Sequence, residues 1–378
     1  MLNFEQKLTA VRREIHQDPE LGFDEVRTKE RVAGHLRELG LDVTVGAGVV
    51  GVLKSGTSDR VIALRADMDA LPIQETSTHD YPSRNEGVMH ACGHDGHTTM
   101  LLGAAELLVE NRQFDGTVVF IFQPNEEHGL GALAMLDEGF VDTFKPDEVY
   151  AIHNLPGLAE GEIVTRSGQI CASETLFEIV INGQGGHASM PHTGVDAITV
   201  GAEMVLALQT IVARKLSPGA GVVVSVTEFI SDGQRNVLPG TVTLKGDIRA
   251  RLPADRERVC ELMQQIVDGV ASTHAVTATV TVNTEFIETI NAAEPVEAVK
   301  RTAERIGIPI DSDSDPMSFS EDFAHFCKAV PGCFLLMGNG ENGAHAQPLH
   351  ASDYDFNDRL LTKGASFWEA LVQDRLAV

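Results

Sequence analysis

Val118-Val-Phe-Ile-Phe-Gln-Pro-Asn-Glu-Glu127 carries the pattern that decides the fold, a short apolar run that ends in carboxylates. A run of consecutive apolar residues is typical of a strand buried on both faces of a parallel sheet. Runs at residues 61–64, 148–152 and 333–337 are similar, and they lead to Asp67 and Asp69, to His153, and through a Gly-rich loop to His345 and His350. Because ligands bind beyond the carboxyl ends of the strands in open α/β sheets, we expect these side chains to share one crevice.

The densest group of metal-competent side chains is Gly87-Val-Met-His-Ala-Cys-Gly-His-Asp-Gly-His97. Gly93 stands between Cys92 and His94, and glycine permits a turn that would aim a thiolate and an imidazole at one point. Transition-metal ions require such a convergence of ligands. Asp95 is a suitable N-cap for the helical pattern that follows, so we expect a rigid helix to anchor this loop.

Composition and charge exclude several classes of protein. Of the 378 residues, 43% are apolar and 22% are charged, which suits a folded protein of about two domains. The formal net charge of −26 argues against nucleic acid or an anionic membrane as a partner. The chain has neither a long apolar run nor a signal peptide, so we expect a cytoplasmic protein without a membrane span. Its five cysteines are odd in number and irregularly spaced, which argues against a disulfide framework.

The order of the helical and strand patterns predicts two domains. Residues 1–175 and 287–378 alternate helices and strands, which predicts an α/β catalytic domain with a mostly parallel sheet. Residues 176–286 instead follow the order strand, helix, strand, strand, helix, strand. This is the βαββαβ order of a ferredoxin-like α+β unit. The simplest interpretation is a smaller α+β domain inserted into the α/β domain.

Motifs along the whole chain resemble one known family. They are Arg12-Arg-Glu-Ile-His-Gln-Asp-Pro-Glu-Leu-Gly-Phe23, Ala63-Leu-Arg-Ala-Asp-Met-Asp-Ala-Leu-Pro-Ile73, Met89-His-Ala-Cys-Gly-His-Asp-Gly-His97, Phe122-Gln-Pro-Asn-Glu-Glu127, Gly185-Gly-His-Ala-Ser-Met-Pro-His192, Asn236-Val-Leu-Pro239 and Ser320-Glu-Asp-Phe323. In this combination they resemble the M20 metallopeptidase family, in the branch of hippurate hydrolases, auxin-conjugate hydrolases and N-acyl-amino-acid amidohydrolases. The resemblance implies a two-metal amidase whose inserted domain is a lid and a dimerisation domain.

Hydrolysis of an unactivated amide needs an activated water, a polarised carbonyl and a base that carries protons. The adjacent Glu126 and Glu127 suggest that one carboxylate binds metal while the other shuttles a proton, and their positions alone do not say which. The resemblance assigns the proton shuttle to Glu126. It implies two divalent ions per subunit, with the ligands Cys92, His94, Glu127, His153 and His350. We expect zinc, while manganese, cobalt or nickel would also suit mixed sulfur, nitrogen and oxygen ligands.

Other polar residues near these ligands are interpreted as supporting groups. Asp69 belongs to the catalytic set, where we expect it to orient a metal ligand. Asp67 stands where many members of the wider family have a histidine. His90 and His97 are interpreted as neighbours of the ligands.

The inserted domain carries a second set of candidate residues. His187 follows a glycine-rich stretch, and a histidine in such a loop suits hydrogen bonding to a substrate oxyanion. The resemblance implies that this histidine reaches the active site of the partner subunit, and hence a homodimer or a higher homo-oligomer. It also implies that Asn236 and Arg249 bind the substrate carboxylate, for which the forked guanidinium of arginine is suited. From the residues alone, a surface histidine and a surface arginine would be the simpler interpretation.

These features predict a metal-dependent amidohydrolase that cleaves the amide bond of N-acyl-L-amino acids, a small-molecule substrate, to a carboxylic acid and a free amino acid. Narrower N-acetyl-diaminopimelate or hippurate hydrolases and dipeptidases are alternatives within the same class. A catalytically silent metal-dependent binding protein is an alternative of another class, and the intact Glu126 argues against it. A structural zinc protein is disfavoured because its ligands would form a closed Cys-rich cluster.

Overall fold

The computed structural model describes residues 2–378 and divides them into two compact units. The first unit comprises the residues up to Ile170, Thr289–Pro316 and Glu321–Val378. The second comprises Cys171–Glu288 and Met317–Ser320. Across residues 2–378, no helix combines the length and the hydropathy needed to cross a lipid bilayer.

Helices and strands alternate along most of the chain. The α-helices are α1 (Phe4–His16), α2 (Val26–Glu38), α3 (His94–Glu110), α4 (Gly131–Asp137), α5 (Phe140–Phe144), α6 (Ala197–Leu208), α7 (Pro253–His274), α8 (Ala293–Ile306), α9 (Ala324–Ala329) and α10 (Arg359–Arg375). The strands are β1 (Asp42–Val45), β2 (Val49–Ser55), β3 (Val61–Asp67), β4 (Gly116–Gln123), β5 (Glu148–Pro156), β6 (Ile163–Val164), β7 (Gly168–Cys171), β8 (Glu174–Asn182), β9 (Gly186–His187), β10 (Val222–Ser231), β11 (Val237–Leu238), β12 (Thr241–Ala250), β13 (Thr277–Phe286), β14 (Thr289–Asn291), β15 (Ile310–Asp311) and β16 (Gly332–Gly340). Short 3-10 helices span Pro191–Thr193 and Gly343–Ala346, and a π-helical turn spans Ile211–Lys215.

An eight-stranded sheet forms the centre of the first unit, in the order β1-β2-β4-β3-β5-β16-β6-β15. Its middle strands β4, β3, β5 and β16 are parallel to one another. The pairs β1–β2, β2–β4 and β6–β16 are antiparallel. The middle strands are buried along nearly their whole length, as consecutive apolar residues require. The predicted mostly parallel α/β sheet is therefore confirmed.

Helix α3 begins within the metal-rich motif and supports its C-terminal residues, from His94 onward. It is buried on almost every side because α1, α10 and β3 pack around it. α1 itself begins with a capping box, in which Asn3 Oδ1 accepts a hydrogen bond from Gln6 N–H at 2.8 Å and Gln6 Oε1 accepts one from Asn3 N–H at 3.1 Å. A helix that is enclosed by other elements on nearly every side is a rigid support for residues at its end.

The second unit contains a four-stranded antiparallel sheet in the order β10-β12-β8-β13. Alternate residues of β8 and β12 are buried, among them Ile179 and Leu244, and they pack with apolar side chains of α6 and α7 such as Met204 and Met263. This alternation is expected for a sheet that is covered by helices on one face. A separate two-stranded ribbon pairs β9 with β11.

Candidate metal centre

Four neighbouring parallel strands carry the predicted site residues at or just beyond their carboxyl ends. β3 ends at Asp67, and β4 ends at Gln123 shortly before Glu126 and Glu127. His153 lies near the end of β5, and His350 follows β16 after a loop. Because these strands are adjacent and point the same way, the structure brings the side chains to one edge of the sheet.

The turn between Cys92 and His94 depends on Gly93. Gly93 has φ +92°, in the left-handed region that favours glycine. A Cβ atom at this position would lie 2.3 Å from Asn154 Oδ1 and 2.7 Å from the Tyr354 hydroxyl oxygen. Only glycine therefore fits between the two predicted ligands.

The prediction that Asp95 caps helix α3 is wrong. The helix begins at His94, and its N-cap is Gly93, without a side-chain hydrogen bond. The Asp95 carboxylate instead accepts a hydrogen bond from His16 Nδ1 at 2.8 Å and lies 2.9 Å from Arg12 Nε. Asp95 is fully buried, and these two basic partners from α1 outweigh the local capping interaction.

Each of the five predicted metal ligands contacts at least one other member of the set. Cys92 Sγ is 3.4 Å from His153 Nε2, and His350 Nε2 is 3.4 Å from Glu127 Oε2. His94 Nε2 is 3.8 Å from Glu127 Oε1. Ligand atoms around a tetrahedral ion at 2.0–2.3 Å are separated by roughly 3.3–3.8 Å. The spacing of these atoms therefore suits coordination of metal ions.

Hydrogen bonds orient the two buried imidazoles so that Nε2 faces the cluster. His94 Nδ1 lies 2.9 Å from the carbonyl oxygen of Asp69, and His153 Nδ1 lies 2.7 Å from that of Asn154. With the proton on Nδ1, each Nε2 presents a lone pair. Within residues 2–378, His94 Nε2 and Glu127 Oε1 are buried without a hydrogen-bond partner. A bound cation would satisfy both atoms, so the donor set fits the metal ions that the sequence implies.

Asp69 contacts two of the predicted ligands, His94 and Glu127. Its Oδ1 is 3.2 Å from His94 Nδ1, and its Oδ2 accepts a hydrogen bond from the backbone N–H of Glu127 at 3.0 Å. The carboxylate thus connects α3 to the loop after β4. This is the geometry of a residue that orients metal ligands without binding the ion.

Asp67 and His97 have other partners. His97 Nδ1 lies 2.6 Å from Asp67 Oδ1, while its Nε2 accepts a hydrogen bond from Asn154 N–H at 2.9 Å. Asp67 Oδ2 accepts a hydrogen bond from Arg65 Nη1 at 2.7 Å. Both side chains are therefore satisfied within the protein and lie beside the ligands.

Glu126 is buried next to the cluster. Its Oε2 is 3.9 Å from His94 Nε2. Burial raises the pKa of Glu126 above its ordinary value, and the nearby carboxylates of Glu321 and Glu127 raise it further. The pocket thus concentrates negative charge, which is an environment that attracts cations.

Arg65 is the main site residue that sequence reasoning missed. Its buried guanidinium lies 2.7 Å from Asp67, 2.9 Å from Glu321 and 3.1 Å from Asp322. Carboxylate oxygens of Glu321, Asp322 and Glu126 lie within 4.8 Å of one another. An arginine inside an apolar strand is the signal that points to this network, because a buried charge requires partners.

His350 is the most exposed of the predicted ligands. Half of its side chain, 51%, is exposed, and its backbone has φ +67°. Its N–H donates a hydrogen bond to the carbonyl of Ala91 at 2.8 Å, which ties the loop after β16 to the residue before Cys92. The centre is therefore open to solvent on this side.

In the second unit, the β9–β11 ribbon brings two predicted residues together. His187 pairs with Val237, and Ala188 N–H donates a hydrogen bond to the carbonyl of Asn236 at 3.1 Å. His187 Nδ1 accepts a hydrogen bond from Ser189 N–H at 3.1 Å. A neutral imidazole that accepts at Nδ1 carries its proton on Nε2, so the exposed His187 side chain presents a donor.

Arg249 is occupied by neighbours in its own unit. Its Nε donates to Asp247 at 2.8 Å, its Nη1 donates to Ser320 at 2.9 Å, and its Nη2 is hydrogen bonded to Glu174. Burial raises the pKa of Glu174, and the positive charge of Arg249 acts in the opposite direction. A substrate carboxylate at Arg249 would have to compete with these two acidic side chains.

A parallel sheet that gathers thiol, imidazole and carboxylate groups at its carboxyl edge, beside an additional glutamate, is the arrangement of a metal-dependent hydrolase. The sequence model of the family described as peptidase family M20/M25/M40 matches residues 63–374 of this chain. The chain is 38% identical to a hippurate hydrolase of Campylobacter jejuni subsp. jejuni over 376 residues, which cover 98% of this chain and 97% of that protein. It is 36% identical to IAA-amino acid hydrolase ILR1-like 5 of Arabidopsis thaliana, with 96% and 85% covered.

A solved structure shows the same similarity. The crystal structure of a Bacillus subtilis dinuclear metal-binding peptidase from the M20 family superimposes with a TM-score of 0.88 and 31% identity, covering 99% of this chain and 98% of that one. The chain belongs to peptidase family M20/M25/M40. The resemblance found in the sequence is therefore confirmed, and so is the prediction of a hydrolase that acts on amides.

Proposed function

We propose that this protein is a metal-dependent amidohydrolase that converts N-acyl-L-amino acids to a carboxylic acid and a free amino acid. One observation carries the proposal: Cys92, His94, Glu127, His153 and His350 converge beside a glutamate, Glu126, outside that ligand set. The names of the hippurate hydrolase and IAA-amino acid hydrolase relatives agree with this substrate class.

The five ligands are proposed to hold two divalent ions. Cys92 lies against His153, while the Glu127 carboxylate lies between His94 and His350. Zinc is the expected metal, and manganese, cobalt or nickel would suit the same ligands. When bound, the ions supply Lewis acidity that polarises the scissile carbonyl and makes water a stronger nucleophile.

The side chains of the first unit carry out the proton transfers and the positioning. Glu126 is proposed to accept a proton from the attacking water and to donate it to the nitrogen of the leaving amino acid. Asp69 keeps His94 and Glu127 in the orientation that ligation needs. The Glu126 side chain is buried beside these ligands, within reach of the site where the amide would lie.

The second unit is proposed to be an inserted ferredoxin-like lid and dimerisation domain, which its strand order β10-β12-β8-β13 supports. His187 is proposed to donate a hydrogen bond from Nε2 to the substrate oxyanion in the active site of the partner subunit. Asn236 and Arg249 are proposed to bind the substrate carboxylate. The protein would then act as a cytoplasmic homodimer or higher homo-oligomer.

A hydrolysis screen tests the proposed function. Protein reconstituted with zinc, manganese, cobalt or nickel is given N-acetyl, N-benzoyl, longer N-acyl and indole-acetyl amino acids, and release of the amino acid is measured. We expect turnover of at least one substrate class, and loss of most of that turnover in the Glu126→Gln variant. Cleavage of N-benzoylglycine alone would make the protein a narrow hippurate hydrolase. Folded, metal-loaded protein that cleaves none of these substrates would contradict the proposal.

A further inference from the structure

A second group of histidine and carboxylate side chains lies in the first unit, outside the proposed ligand set. His16 ends α1, whereas Glu75 and His79 belong to the loop between β3 and α3. Nε2 of His16 is 3.3 Å from Glu75 Oε1, and Nε2 of His79 is 3.0 Å from the same oxygen. We propose that these three side chains bind a further divalent transition-metal ion, such as Zn²⁺ or Co²⁺. The proposal is independent of the proposed catalytic activity.

The geometry of the three side chains suits such an ion. One atom from each lies within 4.8 Å of the other two, and ligand atoms around a tetrahedral zinc at 2.0–2.1 Å are roughly 3.3 Å apart. The other ring nitrogen of His16, Nδ1, is 2.8 Å from Asp95 Oδ2. A carboxylate on the far side of an imidazole fixes the ring and makes the facing nitrogen a better metal ligand.

His79 has no other role that its contacts explain. Within residues 2–378, the buried Nδ1 of His79 has no hydrogen-bond partner, and the buried Nε2 has only its ion-pair contact with Glu75 Oε1 at 3.0 Å, outside hydrogen-bond geometry. Its ring stacks on Tyr81 at 3.9 Å with an interplanar angle of 11°, which fixes the direction of Nε2. Buried polar nitrogens without a partner are unfavourable, so an ion at Nε2 would remove part of this deficit.

The charges around the group favour a cation. Arg12 is surrounded by three carboxylates, those of Asp95, Asp355 and Asp358, and Glu75 adds a fourth. Burial alone would raise the pKa of Glu75, but its contacts with His16 and His79 hold that pKa well below the usual range. Glu75 is therefore an anion, and Arg12 together with Arg13, which pairs with Asp358 at 3.0 Å, supplies two positive charges against four carboxylates.

A protonated His16 between Asp95 and Glu75 is the simpler interpretation of part of this group. Burial and Arg12 lower the pKa of His16, whereas hydrogen bonds to Asp95 and Glu75 raise it, and the net direction is upward. That arrangement uses both nitrogens of His16. It leaves the buried His79 nitrogens beside Glu75 without a function, whereas a metal ion uses both imidazoles.

The site has an entry route and a structural consequence. A cavity of about 420 Å³, lined by His79, Ser77, Asp353 and Asp355 among others, adjoins the group and would admit water as a further ligand. An ion at this position would connect the loop between β3 and α3 to α1 and, through Asp95, to α3 itself.

Metal stoichiometry tests the proposal. Chelator-treated full-length protein is dialysed against buffered Zn²⁺, and bound zinc per chain is measured by mass spectrometry. The His79→Asn variant should bind one zinc fewer than the unmodified protein. His35→Asn is the matched control, because His35 also contacts a carboxylate, Glu106, at 2.9 Å but has no second imidazole. It should bind as much zinc as the unmodified protein. Equal zinc in His79→Asn and the unmodified protein would overturn the proposal.

Cobalt spectra keep this test separate from the proposed catalytic centre. Co²⁺ bound by Cys92 gives a thiolate charge-transfer band, whereas Co²⁺ bound by His16, Glu75 and His79 gives only visible ligand-field absorption. The His79→Asn variant should lose part of the visible absorption and keep the thiolate band. Loss of the thiolate band in His79→Asn would show that His79 acts on the catalytic centre, which would overturn the proposal. A thiolate band missing from the unmodified protein would instead count against the proposed function.

Discussion

Glu126 and Glu127 are adjacent in sequence, yet the fold gives them different partners. The Glu127 carboxylate contacts His94 and His350, and its backbone N–H is held by Asp69. The Glu126 carboxylate lies beside Glu321 and Asp322. Two chemically identical residues thus receive different surroundings from the turn after β4, and the proposed function assigns them the different roles of ligand and proton carrier.

Replacing each glutamate by glutamine separates the two roles. Glu126→Gln should keep nearly full metal content and lose most turnover, because in the proposed function the residue carries protons and does not bind the ions. Glu127→Gln should lose metal as well as turnover. Metal analysis and steady-state kinetics on both variants measure these effects. Equal loss of metal in the two variants, or an active Glu126→Gln enzyme, would contradict the assignment.

Arg65 is expected to contribute strongly to stability. Replacement by methionine would leave the carboxylates of Asp67, Glu321 and Asp322 buried without their cation. Removal of one partner from a buried ionic network typically lowers the free energy of unfolding by about 3–5 kcal/mol. Urea unfolding of the metal-free protein measures this loss.

Arg258→Met is the matched control for Arg65→Met. Arg258 pairs with Glu261 at 2.9 Å, and the two side chains are 48% and 62% exposed. A surface pair of this kind contributes about 0–1 kcal/mol. Similar destabilisation by the two substitutions would mean that the buried network around Arg65 is not the source of the stability loss in Arg65→Met.

At the scale of elements, the turn that begins α3 controls the position of both Cys92 and His94. Gly93→Ala would place a Cβ against Asn154 and Tyr354 in addition to the backbone penalty of about 1–2 kcal/mol for alanine in a left-handed conformation. We expect this variant to lose most of its catalytic metal and turnover. Gly87→Ala, at φ +74° with no atom within 4 Å of the added Cβ, should incur only the backbone penalty. Metal content and kcat/KM distinguish the two, and a fully loaded, active Gly93→Ala enzyme would contradict the role of the turn.

The sequence predicted the strands and helices better than it predicted which strands pair and which side chains contact each other. Apolar runs identify β3, β4, β5 and β16 because burial on both faces dictates composition. The order in which they pair was not predictable from runs that look alike. The capping prediction for Asp95 failed because His16, its partner, is 79 residues away in sequence. The network of Arg65 was missed for the same reason, since Glu321 is 256 residues from it.

At the scale of the whole molecule, mixed dimers test whether His187 acts in the partner subunit. Chains with His187→Ala and chains with Glu126→Gln should each be inactive alone. A mixed dimer would contain one composite site in which both groups are intact, so mixing should restore part of the activity. Kinetics before and after subunit exchange, with exchange verified by mass-tagged chains, measure the recovery. Mixed dimers that form but remain inactive would place His187 outside the neighbouring site.

Recognition of the substrate carboxylate by Arg249 is the part of the proposed function that concerns the substrate class. Hydrogen bonds to a charged group contribute about 1.5–3 kcal/mol, so masking the carboxylate as a methyl ester or an amide should lower kcat/KM by roughly ten- to a hundredfold. Arg249→Ala should remove most of the difference between the masked and the unmasked substrate. Because Arg249 is already bound to Glu174 and Asp247, a purely structural role would reduce kcat/KM equally for both substrates. That equal reduction would contradict carboxylate recognition by Arg249. An unmodified enzyme that cleaves the amide as fast as the acid would instead favour a dipeptidase or a general amide hydrolase on the same centre.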